Sequence, residues 1–295
     1  MNGGLGSELF IQARRRALSV SLVTVMLLIT VFSAYRFLTS SSDTREAQRN
    51  AELSAAQLTA AMGSPVTTAA TYVEPRYVFR SEFAYDAAGA ALGIALVFLV
   101  GGAVLAGGDW RSRAVRITWA PWRRRGLAAL TRVLIWTAIS TAGAFLALSL
   151  LSCLLAVTAV TRGSLTGLEP VTVLLVLGRG TLLAAAGGMA GAGLGTVVRS
   201  DVVVVVVLLA YVLLIETLWP VLAPNGRWAS PGTKLLAWVI SPDVAPRPGT
   251  ICDVPRCAQT VTAGWGSWTG YALGAVVAAA LLLIAYLSAR RDDWR

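Results

Sequence analysis

GGDWRSRAVRITWAPWRRRG, residues 107–126, lies between two runs of sequence apolar and long enough to cross a bilayer. Six arginines and several tryptophans interrupt what would otherwise be one continuous hydrophobic stretch. An arginine at the centre of a spanning helix costs about 2.5–3.5 kcal/mol, so six together do not enter hydrocarbon. The segment is therefore a connection, and the runs on its two sides are separate spans.

Extending that division along the chain gives the fold class. The 295 residues are 56% hydrophobic and only 14% charged, with a mean hydropathy of +0.68, which no water-soluble domain approaches. A span needs about 20 mostly apolar residues. Six segments qualify: 17–38, 86–107, 131–160, 176–198, 202–222 and 268–288. The chain thus reads as an all-α integral membrane protein, a single transmembrane domain over 1–295, with both ends on one side. The apolar run after Arg14, Arg15 and Arg16 continues from Ala17 to about Phe37 with no small-residue cleavage pattern, so it is expected to be a retained anchor rather than a signal peptide.

Orientation follows from the basic residues. With the N-terminus inside, the inside segments hold 13 and the much longer outside loops hold nine, a density about threefold higher inside. Both termini are expected to be cytoplasmic, and the net charge of +10 is then chiefly a topology signal. There is no soluble basic domain for a nucleic-acid partner. Arginine and alanine dominate over a single lysine, Lys234, which points to a GC-rich bacterial genome and a multi-pass protein of the bacterial plasma membrane.

The loops and spans carry further signals. Gly187, Gly191 and Gly195 recur at every fourth position, a face on which helix backbones approach closely, within one bundle or between two chains. Outside, Asp43 and Glu46 resemble a helix cap, and Ala47, Ala51, Ala55, Leu58 and Met62 share a helical face, so an external helix is expected there. In the proline-broken last loop, KLLAWVI (234–240) is expected at the membrane surface with Trp238 at headgroup depth. Cys153 falls in the third span, where it packs as a small apolar residue. Cys252 and Cys257 fall in an outside loop, where an oxidising environment permits a disulfide. Two free thiols or a metal pair are the alternatives, but the chain has no histidine and no metal site is expected.

The chain holds no nucleotide-binding motif, because Lys234 in PGTKLL does not close a glycine-rich phosphate loop. Without histidine it also has neither an HExxH motif nor a Ser-His-Asp arrangement, and it is not expected to be an enzyme. Two charges lie inside apolar stretches: Arg179 near the outer end of span four and Glu216 near the outer end of span five. They can pair with each other, snorkel to the interface, or contact a substrate.

In the opening segment a helix over 110–120 would place Trp110, Ala114 and Ile117 on one face, widened by Val115 and Trp119 and bordered by Arg111, Arg113 and Arg116. Pro121 disfavours helix at Ala120 and should end it, and the basic cluster Arg123, Arg124 and Arg125 follows. Topology anchoring explains the arginines. It does not explain a compact helix with its own apolar face, which suits a partner's groove.

Asp109, Arg111, Ser112, Pro121, Arg123 to Arg125 and the ALTR ending at Arg132 resemble the signature of permease subunits of type 2 ATP-binding-cassette (ABC) transporters. That family often has glutamate where Asp109 stands and lysine where Arg132 stands. SELFIQARRRAL (7–18) is similar to its amphipathic lead-in, the turn at Arg199 and Ser200 to its elbow between spans four and five, and WVISPDVAP (238–246) to the stretch before its last span. The resemblance covers most of the chain. It implies a permease, more often an exporter, in which Asp109, Trp110, Arg111, Arg113, Val115, Arg116, Ile117 and Trp119 form a coupling helix. That helix would dock on a separate cytoplasmic ATPase, with ATP and magnesium held by the partner and no cofactor in this chain. Two ATPase copies and a second permease chain, identical or related, would complete the complex. The competing reading is a polytopic sensor or immunity-type membrane protein that binds a ligand without moving it.

Overall fold

Apolar runs of this length fold as helices because hydrocarbon offers their amide groups no partner except each other. The computed structural model describes residues 16–63, 75–111, 125–165, 170–198, 200–214 and 231–240. Along these the order is α1 (Arg16–Thr39), α2 (Arg45–Met62), β1 (Tyr77–Val78), α3 (Phe79–Arg111), α4 (Arg125–Arg162), β2 (Gly163–Ser164), α5 (Pro170–Val198), α6 (Asp201–Tyr211) and α7 (Pro231–Ile240).

Among the described residues, four helices are long and apolar enough to cross a membrane: Ala17–Thr39, Glu82–Gly108, Leu130–Arg162 and Pro170–Val198. They correspond to the first four expected spans. The fourth begins at Pro170 rather than 176 because proline at a helix's first position gives up an amide that no helical carbonyl needs. A shorter apolar helix covers Val202–Leu214, the start of the fifth expected span. The rest of that span, span 268–288 and both chain ends lie outside the described residues.

Several hydroxyls in these helices bond to their own backbone. Thr137, Ser140, Thr141, Ser152 and Thr181 each donate to the carbonyl four residues earlier at 2.7–2.8 Å, which satisfies the hydroxyl without a second helix.

The glycines decide the packing. A Cβ on Gly187 would come within 2.6 Å of the Ala95 carbonyl, one on Gly195 within 2.7 Å of the Ala103 carbonyl, and one on Gly191 would collide with the Leu99 carbonyl. Both numbering series rise together, so α3 and α5 run parallel with their backbones nearly touching, as small residues allow in a bilayer. The glycine row therefore serves packing within this bundle. The neighbouring pairs are antiparallel: Gly101 lies against Ser21 and Gly93 against Leu28, joining α3 to α1, and Gly188 lies against Ser140, joining α5 to α4. In the middle, the Trp136 indole donates to the Phe98 carbonyl at 3.2 Å and meets the Phe98 ring edge-on, and the core continues along the bundle through Ile94, Leu148, Leu151 and Leu155. The outward face is apolar too: Val20, Val23, Leu27, Val31 and Leu38 of α1 are exposed, as lipid contact requires.

The expected external helix is α2. Asp43 accepts the Arg45 amide at 2.9 Å, and the helix closes at Gly63, whose φ of 66° is the left-handed conformation glycine adopts freely. Its buried row contains Ala51 and Ala55, whereas Leu58 is 40% exposed. KLLAWVI forms most of α7: Pro231 opens the helix, which packs on α3 and α5 with Val239 and Ile240 in the core.

Candidate functional site: the two ends of the bundle

The alternating helix directions sort the termini into two sets. The start of α1 at Arg16, the end of α3 at Arg111, the start of α4 at Arg125 and the end of α5 at Val198 share one end. Asp109, Trp110 and Arg111, the first residues of the expected coupling helix, continue α3 without a break. Residues 112–124, with Arg113, Val115, Arg116, Ile117, Trp119, Arg123 and Arg124, lie outside the described residues. Arg125 opens α4, and Arg132, the last residue of the signature, is buried. The expected turn between spans four and five is present at this end: Ser200 is extended (φ −142°, ψ 118°), and its hydroxyl accepts the Val203 amide at 3.4 Å as the cap of α6.

The opposite end gathers charges that the sequence reading did not single out. Arg36, three residues from the end of α1, pairs with Glu82 and with Asp86, whose Oδ2 is 2.6 Å from its Nε. Its guanidinium stands 5.2 Å from the centre of the Tyr77 ring. Glu82 and Asp86 are four residues apart on α3 and so share a face, which lets one guanidinium meet both. The sequence signal was available, since Arg36 interrupts an apolar run and two acids sit at the head of the next.

Arg162 lies nearby. Its Nη1 donates to the Phe37 and Ser40 carbonyls at 2.9 and 3.0 Å, and its guanidinium stacks 3.9 Å from the Phe37 ring centre. A cation is thereby placed at the C-terminus of α1, where the helix dipole is negative. Just beyond Arg162, β2 pairs in parallel with β1, Tyr77 opposite Gly163 and Val78 opposite Ser164. Any side chain at 163 would strike the Tyr77 carbonyl, so glycine is required there.

Arg179 plays the same part for α7. It is only 8% exposed, and its Nη1 donates to the Trp238 carbonyl at 3.0 Å, in the last turn of that helix. Nine residues separate it from Pro170, about 13 Å along the axis. Glu216, Cys252 and Cys257 lie outside the described residues. Cys153 is a free thiol on the exposed side of α4, facing outward rather than into the core. Among the described residues no group of three or more acidic, histidine or cysteine side chains is placed to hold a metal ion.

One end thus presents a basic connection between two apolar helices, and the other a set of arginines that clamp helix ends. The chain matches no protein-family model, no curated protein and no solved structure.

Proposed function

We propose that the chain is the membrane-spanning permease subunit of an ABC transporter of the type 2 class, an exporter, working with a separate cytoplasmic ATPase. One observation carries the reading: α3 and α4 both end at the pole that also holds Arg16, and the thirteen residues between them, 112–124, contain four arginines, Ile117 and Trp119. A link that only turned the chain would need no apolar face. A link that docks a partner needs both the face and the charges around it. The signature formed by Asp109, Arg111, Ser112, Pro121 and Arg123 to Arg125 falls on the same link.

On this reading the basic pole is cytoplasmic, in a bacterial plasma membrane. ATP and magnesium bind the partner, whose closure around nucleotide pushes on Trp110, Val115, Ile117 and Trp119, while Arg111, Arg113 and Arg116 steer docking. Force then passes into α3 and α4, which continue directly from the link. A second permease chain completes the path. The half-buried cluster of Arg36, Glu82 and Asp86 favours the rival sensor reading, since a ligand could be held there without transport, but that reading leaves the link unexplained.

Ile117→Asp and Trp110→Asp each place a charge on the docking face. Both variants should insert normally and lose the ATPase on purification. Full recovery of the ATPase with both would remove the coupling assignment.

A further inference from the structure

Three arginines at the far pole, Arg36, Arg162 and Arg179, are drawn in from the surface and are not equally answered. Arg36 faces two carboxylates, and Arg162 reaches two carbonyls and a ring. Arg179 is as deeply buried as either, yet it holds one carbonyl, and its Nε is enclosed with no acceptor. The carboxylates of Glu82 and Asp86 pair with Arg36. A guanidinium carries five N–H donors and a full charge, and one neutral hydrogen bond does not offset taking that charge out of water.

The surroundings of Arg179 say what would answer it. At about 100° per residue, Leu175 and Leu182 lie within roughly 60° of Arg179 around α5. They are 44% and 50% exposed, so the buried cation borders an open apolar face. Gly178 stands beside them, and a Cβ built there meets nothing within 4 Å. If α5, about 43 Å long, is centred on about 30 Å of hydrocarbon, Arg179 lies about 7 Å inside the boundary, within the reach of its own side chain to headgroup level.

We infer that Arg179 is the headgroup site of an anionic membrane lipid, whose phosphate takes the guanidinium and whose chain lies along Leu175 and Leu182. Charge complementarity selects the headgroup, because the planar fork of arginine matches two phosphate oxygens where a carbonyl uses only one donor. The exposed leucines select a ligand with a chain over a free anion. The phosphate competes with the Trp238 carbonyl, so a bound lipid loosens the last turn of α7. The inference needs only the membrane and stands apart from the transporter reading.

The full chain is reconstituted in nanodiscs of phosphatidylcholine alone or with phosphatidylglycerol, and amide exchange is followed over 231–240. Phosphatidylglycerol should speed exchange there several-fold in the wild type, and Arg179→Gln should abolish the difference while Arg179→Lys retains part of it. In detergent, native mass spectrometry should show phosphatidylglycerol retained about tenfold better by the wild type than by Arg179→Gln, with Leu182→Asn intermediate. Inorganic phosphate at matched concentration should not displace it. Equal exchange of α7 in the two wild-type nanodiscs overturns the proposal, however the variants fold. Displacement by inorganic phosphate also overturns it, by showing that the chain contributes nothing. Crosslinking of Leu182→Cys to a second copy in the membrane overturns it as well, because protein would then cover that face.

Discussion

At the scale of single residues, the far pole is held by arginines with different partners, and their removal should cost different amounts. Arg36→Ala removes the cation that Glu82 and Asp86 share, whereas Asp86→Asn leaves the Arg36–Glu82 pair intact. Breaking a buried pair costs about 3–5 kcal/mol. Because Arg36 and Glu82 are only half-buried, Arg36→Ala is expected at or below the lower end of that range and Asp86→Asn well below Arg36→Ala, measured as loss of thermal stability in detergent. Equal losses would show that the pair with Glu82 contributes little. The reading from sequence passed over this cluster because hydropathy averaged over about 20 residues absorbs a single charge, and Arg36 stood inside the run 17–38. Arg179 stands out in the sequence as a charge inside an apolar stretch. Its partner was not legible, since the Trp238 carbonyl is a backbone group 59 residues away that no side-chain pattern announces.

At the scale of elements, the closest approach in the bundle is between α3 and α5, and it depends on the absence of side chains at Gly187, Gly191 and Gly195. Gly191→Leu should separate the two helices and lower the yield of folded protein sharply. Gly178→Ala, on the same helix but facing open space, should leave it unchanged. Fluorescence-detected size-exclusion chromatography after a temperature series distinguishes the two, and a tolerant Gly191→Leu would argue against the parallel packing. The glycine period was plain in the sequence, and so was α2, since an aspartate just ahead of a helix and a spaced alanine row are local features, although the N-cap position falls to Thr44. Leu58 shares a face with the alanines by sequence spacing yet is exposed, because the helix turns Ala51 and Ala55 inward at every fourth position. The docking of α7 was not legible: KLLAWVI is amphipathic enough for either a membrane surface or a groove, and only the positions of α3 and α5 decide between them.

At the scale of the whole molecule, four long apolar helices with alternating direction make an all-α membrane protein whose poles differ in chemistry. Length and hydropathy made this legible, because a bilayer imposes one requirement on every span. The account places α2 outside the cell. In a variant with its cysteines replaced, single cysteines at the exposed positions Gln48 and Leu53 should therefore react with an impermeant thiol reagent added to intact cells, and a cysteine at Ser112 only after lysis. The reverse pattern would invert the topology and put the arginine-rich link on the wrong side for an ATPase. The most direct measurement is to purify the chain in mild detergent from its native host through a C-terminal tag and identify what accompanies it. The account predicts a P-loop ATPase in roughly equal amount, lost in Ile117→Asp. Recovery of the chain alone, under conditions where ABC complexes survive, would contradict it and turn attention to the arginine pole as a sensor's ligand site.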